Sequence, residues 1–142
     1  MIVSEFKELM LSKTISRKTI PVDIQLEHRI NTAIKEVATL TTPLRLIVNN
    51  PDRYQILRKV DSVTYIRFAE DVENDNSELD IDRFLLDAVA LYVLAGIEKE
   101  KASIYMGMFY SQIEANDRRL IEANLVESSN ENYTEDASMV FA

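Results

Sequence analysis

The sequence predicts a mainly α protein: a helical bundle of about four helices with a small β-hairpin insertion and an extended C-terminal arm. Three observations lead there. Punctuation is sparse, with two glycines and three prolines in 142 residues, fewer turn residues than a many-stranded barrel needs. Apolar residues recur at three- and four-residue steps, the period of an amphipathic helix. Residues 84–97 are apolar on nearly every side and interrupted only by Asp87. Such a helix must be buried centrally or shared with a neighbouring subunit.

Each element has its own local signal. Ser4 is placed to cap a short helix over 5–11, with Glu5 near its positive end and Phe6, Leu9 and Met10 along one side. Residues 12–20 are basic and hydroxyl-rich and read as a connector. A second helix is expected over 22–40, where Leu26, Ile30, Ala33, Ile34, Val37 and Leu40 share a face; Pro43 ends it. Residues 44–48 form a short apolar run before the turn cluster Asn49, Asn50, Pro51, Asp52. Residues 54–60 and 63–68 flank Asp61 and Ser62 with β-branched and aromatic side chains, which predicts a hairpin over about 54–68. Ser77 with Asp80 three residues on matches a capping box and predicts a helix over 79–96. Glu98 and Glu100 alternate with Lys99 and Lys101 as a salt-bridged turn. A last helix, carrying Ile104, Tyr105, Met108, Phe109 and Ile113, runs to Leu120 or Ala123. These elements predict one domain over 1–125, followed by an acidic extension over 126–142.

Charge is unevenly distributed. The net charge is −8, which argues against a general nucleic-acid-binding surface, since gripping phosphate takes clustered Lys and Arg. The hairpin region holds Arg45, Arg53, Arg58, Lys59 and Arg67. It is followed by Glu70, Asp71, Glu73, Asp75, Glu78, Asp80 and Asp82 with no intervening cation. The last seventeen residues contain four acids and no base. There is no cysteine, which leaves no disulfide or thiolate metal site. No run reaches the roughly 18–20 apolar residues that cross a bilayer. The N-terminus lacks the basic head and apolar stretch of a signal peptide, so the chain is expected to be made in the cytoplasm.

Catalytic constellations are not evident. His28 is the sole histidine, within the second predicted helix and without the Ser, Cys or further His that a triad or imidazole metal site requires. Asp71, Glu73, Asp75 and Asp82 fall at ligand positions of a calcium loop, but Asn76 replaces the turn glycine and Asp82 the bidentate Glu. A solvated linker explains them as well. No cofactor is implied. The Tyr105, Met108 and Phe109 stripe reads first as core, with its spare apolar face, together with Arg58 and Arg67, as a candidate subunit interface. Met139, Val140 and Phe141 form an isolated apolar end that can anchor the arm on a partner.

The layout of two N-terminal helices, a small hairpin, the stretch from Leu79 through Asp80, Phe84 and Ala88 to Tyr92, and a Tyr/Met-rich last helix resembles a head–tail connector, or adaptor, of tailed bacteriophages. The resemblance is carried most by residues 80–113, which look like that family's pair of core helices. It covers most of the chain through degenerate motifs. It implies a non-enzymatic virion protein: a homo-oligomeric ring of about twelve copies beneath the portal, joining it to tail or stopper proteins, with DNA passing through unbound and no membrane contact. Residues 126–142 take the arm's place by position and composition. Asp71, Glu73 and Asp75 then become a candidate acidic lumen, where carboxylates repel the DNA backbone and keep it sliding. Two other readings remain: another completion protein, such as a tail terminator, for which a mostly β fold is expected, and a small phage regulatory protein that binds one host protein.

Overall fold

The computed structural model describes residues 1–15, 19–21 and 24–123. It is mainly α, with four helices and a three-stranded antiparallel sheet among the described residues. Helix α1 spans Val3–Lys13 and α2 Leu26–Leu40. Strands β1 (Ile47–Asn49), β2 (Ile56–Lys59) and β3 (Thr64–Arg67) follow. Helix α3 spans Leu86–Ile97 and α4 Ala102–Glu122.

Helix α1 begins earlier than Ser4 suggested, because its free amides find partners outside the helix. Glu5 accepts from the Ile2 amide at 3.0 Å. The Val3 and Ser4 amides donate to the carbonyls of Ser77 and Asp75, and Ile2 bridges Glu78 in antiparallel fashion. A distant loop thus does the capping expected of Ser4. Val3, Phe6 and Met10 are fully buried.

Helix α2 is shorter at its start than expected. Gln25 stands at φ 55°, a left-handed conformation that cannot continue a right-handed helix. Residues 22 and 23 lie outside the described residues. The far end falls at Leu40 as expected, and the anticipated face is buried through Leu26, Ile30, Ala33, Ile34 and Val37; Leu40 itself is exposed.

The 44–48 run divides into a 3-10 turn over Leu44–Leu46 and strand β1. Asp82 sets that turn by accepting from the Leu44 and Arg45 amides at 2.6 and 2.7 Å. The hairpin forms between β2 and β3, with an irregularity between Ile56 and Arg58. Its turn is closed by Asp61, whose Oδ1 accepts from the Val63 and Thr64 amides. The sheet order is β1-β3-β2, so the central strand is the last in sequence.

Helix α3 starts at Leu86, seven residues after the predicted start. The Ser77 capping box does not form. Its hydroxyl instead accepts from the Glu73 and Asn74 amides, 3.0 and 3.2 Å away, and closes a loop. Asp80 turns inward. The segment between carries Leu79 and Ile81 into the core on irregular backbone and Leu85 on a 3-10 turn over Arg83–Leu85.

From Leu86 to Ala95, α3 buries eight side chains and packs against α1, α2 and α4. Its all-round apolar character is satisfied inside the domain, each large side chain contributing roughly 1.5–3 kcal/mol of burial. Helix α4 closes the bundle with Tyr105, Phe109, Ile113 and Leu120. The Phe109 ring lies 5.3 Å from that of Tyr92.

Candidate functional site

The acidic loop is a held structure rather than a loose linker. Its Val72 is buried, and both backbone groups of that residue pair with the Asn31 side chain: the Val72 amide donates at 2.8 Å and its carbonyl accepts at 3.1 Å. Lys7 bonds Asp75 at 2.9 Å, the Met1 ammonium pairs with Glu78, and the Leu79 amide donates to the Met1 carbonyl. Between these ties Asp71, Glu73 and Asp75 face solvent. Asp71 and Glu73 make no ion pair among the described residues. The local sequence explains this: the Asn74 side chain accepts from the Asn76 amide and the Ser77 hydroxyl from the Glu73 and Asn74 amides, which sets the turn, while Val72 and Leu79 anchor its ends.

Where the loop returns to the domain, Asp80 is 6% exposed and joins three segments. Arg67 donates from Nη1 at 2.6 Å and Nη2 at 3.2 Å, Arg45 from Nε at 2.7 Å, and the Glu70 amide at 2.9 Å. Burial alone would raise this carboxyl, but hydrogen bonds from Arg67, the Glu70 amide and Arg45 outweigh it and hold the pKa at about 2.

Two residues expected at a subunit interface therefore have internal work. Arg67 is tied to Asp80. Arg58 reaches under the sheet to the carbonyls of Ala38 and Thr41 at 2.7 and 2.6 Å. Burial lowers the Arg58 pKa, and the nearby Asp117 partly offsets this. Asp117 is raised by burial, partly countered by its bond to the Thr41 hydroxyl and by Arg58. Asn116 adds a 3.0 Å bond to Thr41 Oγ1, so a polar cluster fastens the end of α4 to the end of α2.

The aromatic stripe is divided by the helix period. Tyr105 and Phe109 are 0% exposed and belong to the core, whereas Met108 is 41% exposed. As a subunit contact only Met108 of the three is available, because residues four apart share the inward face. The Tyr105 hydroxyl donates to Glu98 at 2.9 Å and accepts from the Ile15 amide at 2.8 Å. Glu98 is itself fully buried, so the reading of residues 98–101 as a surface turn of alternating charges is corrected: α3 continues through Gly96 to Ile97, and Glu98 turns its carboxylate inward to Tyr105 before a 3-10 turn over Lys99–Lys101.

His28 is exposed and lines a groove of about 270 Å³ with Arg29, Tyr92 and Gly96. A larger open groove of about 1050 Å³ runs past Glu8, Leu9, Arg45, Arg83 and Leu86, with mixed charge along its rim. No group of three or more His, Asp or Glu side chains is placed to hold a metal ion among the described residues. No helix among them is long and apolar enough to cross a membrane. Met139, Val140 and Phe141 lie outside the described residues.

Sequence reasoning missed the Asp80 hub and the buried Glu98. The signal for Asp80 was its place between the large apolar residues Leu79 and Ile81, which a fully solvated linker has no need of. Glu98 gave no such signal, since its neighbours are charged. Comparison with protein-family models, curated proteins and solved structures gives no significant match.

Proposed function

We propose that the chain is a non-enzymatic head–tail connector of a tailed phage, assembled as a ring beneath the portal and carried in the virion. The observation that carries this reading is the acidic loop. Asp71, Glu73 and Asp75 are held outward on backbone pinned at Val72, Ser77 and Leu79. Lys7 offsets the charge of Asp75, and the unpaired Asp71 and Glu73, repeated around a ring, repel the DNA backbone and leave it free to slide. The mainly α fold favours this reading over a tail terminator. Residues 126–142 supply the arm toward the portal. Ordering such a segment costs about 1–2 kcal/mol of backbone entropy per residue, so its contacts gain from repetition around the ring.

The test is affinity capture of the tagged protein from the cells that produce it, with partners and their stoichiometry read by mass spectrometry. A portal-class protein in comparable copy number is expected. Recovery of one host enzyme, without capsid or tail proteins, overturns the connector reading and replaces it with that of a regulatory binder.

A further inference from the structure

The groove beside His28 lies between the start of α2 and the end of α3. Its volume is about 270 Å³, and Arg29 is the one formally charged residue among the described residues that line it. No carboxylate lines it, in a chain with 24 Asp and Glu residues against 16 Lys and Arg. Arg29 is held from two sides. Its Nε donates to the Ile24 carbonyl at 2.8 Å. Its Nη1 occupies space that a side chain on Gly96 would need, 2.8 Å from where a Cβ would stand. Gly96 has no positive φ, so its backbone does not require glycine. The missing side chain makes room for the guanidinium.

That guanidinium is underused. An arginine fork has donors on Nε, Nη1 and Nη2, and only Nε has a hydrogen-bond acceptor among the described residues. Arg29 also makes no ion pair among them, although it is half-buried. The acids of α2 do not fill the role. Glu27 neighbours His28 but does not line the groove. Glu36 is seven residues from Arg29, about 10 Å along the helix axis, and acts at the far wall: burial first, then Glu36 and Tyr110, raise the Tyr92 pKa. Asp23 lies outside the described residues. The positive start of α2 and the negative end of α3 meet here and offset one another, so Arg29 sets the sign within the groove.

We infer that this groove binds a small organic acid, with its carboxylate on Arg29 and a short apolar body against the walls. The Nη1 and Nη2 edge presents parallel donors that match the oxygens of a carboxylate. Thr32 and Gln25 line the same space with side chains able to donate, and Ile24, Val93 and the Tyr92 ring supply the apolar wall. The volume falls below the roughly 300–1,000 Å³ of sites for drug-sized ligands, which limits the body to a few carbons. A phosphate dianion suits the groove less, since it would meet a single guanidinium in a chain of net charge −8. The site is separate from the acidic loop and does not rest on the connector reading.

The test is an NMR titration of the purified full-length chain with sodium isovalerate. Isovaleramide is the uncharged counterpart and inorganic phosphate the competing anion. His28 is the sole histidine, so its ring protons give a single signal beside the groove; the Gly96 amide and the Thr32 methyl report the other walls. Isovalerate should give saturable shifts at all three, with a Kd of about 1 mM or below. Isovaleramide and phosphate should bind at least about tenfold more weakly, and Arg29→Gln should weaken isovalerate by a similar factor. Arg29→Lys keeps the charge without the fork and should fall between. Should Arg29→Gln misfold, Gly96→Ala displaces the guanidinium while keeping its charge, and should likewise weaken binding.

Absence of saturable shifts overturns the inference. So does equal binding of isovaleramide or phosphate, or unchanged affinity in a folded Arg29→Gln or Gly96→Ala chain. Binding that emerges only in Asp23→Asn also overturns it, by making Asp23 the partner of Arg29. The capped residue N-acetyl-glutamyl amide presents the same group as a peptide side chain does; tighter binding of it than of isovalerate replaces the small acid with an acidic peptide. The capture experiment reads the connector role separately, so each reading can fail while the other stands.

Discussion

Asp80 shows how a single carboxylate can hold an irregular region together. It gathers Arg45, Arg67 and the Glu70 amide where no regular ladder could. Asp80→Ala should lower stability by about 2–3 kcal/mol in urea denaturation, since it leaves Arg67 part-buried without its partner. The pH dependence follows from a native pKa of about 2 against about 3.9 unfolded. Below both values the group is protonated in both states and contributes nothing; above both it stabilises the fold. The contribution is complete above about pH 5 and lost as the pH falls through about 2. It amounts to about 1–2 kcal/mol after screening at the exposed Arg45. Asp117 has the opposite sign: its native pKa is raised by burial, so its ionisation opposes folding as the pH rises. Subtracting the acid titration of Asp80→Asn from that of the wild type isolates the first effect. Tyr105→Phe should cost about 1–2 kcal/mol, because its hydroxyl serves both Glu98 and the Ile15 amide.

At the scale of elements, α3 and α4 divide the labour. Helix α3 is enclosed by three helices, and α4 presents one buried face and one exposed face. Phe109→Ala should destabilise by about 3–5 kcal/mol in thermal or urea unfolding, as deletion of a fully buried ring leaves a cavity. Gly107→Ala, two residues away and on the opposite, outward side, should stabilise by about 0.5–1 kcal/mol because its methyl group enters open space. The pair of substitutions reads out the two faces directly. The helix periods that define these faces were legible in the sequence, as were α2's C-terminus and the extent of α4. The start of α3 was not. Ser77 has the spacing of a capping residue, yet its hydroxyl bonds two loop amides, and Asp80 is drawn to two arginines instead of a helix end. Local pattern specifies what a residue can bond, and distant groups decide which option is taken.

At the scale of the whole molecule, the buried apolar core among the described residues runs from Val3 to Leu120, and the role given to residues 126–142 is contact with a partner. Removal of residues 138–142 should therefore leave the unfolding midpoint of the domain unchanged while reducing incorporation into particles. Wild-type incorporation of the shortened chain would sink the role given to the arm. The candidate site was only half visible before folding. The acidic run stood out by composition, and its outward, fixed presentation depends on Asn31, Lys7 and the N-terminal backbone, which lie far away in sequence. Arg58 and Arg67 looked equally available as surface cations, and each has an internal carbonyl or carboxylate to satisfy.

By itself the sequence determined the class: mainly helical, with a small hairpin and an acidic run after it. Hydrophobic period, sparse glycine and proline, and charge order are properties of short windows, and short windows suffice to read them. Tertiary structure alone decided that α3 is enclosed within its own domain, that β1 adds to the hairpin's far side, and that Asp80 and Glu98 point inward. Those outcomes depend on which partners meet across some dozens of residues, where burial and the need to satisfy each polar group select one arrangement from several that local chemistry permits.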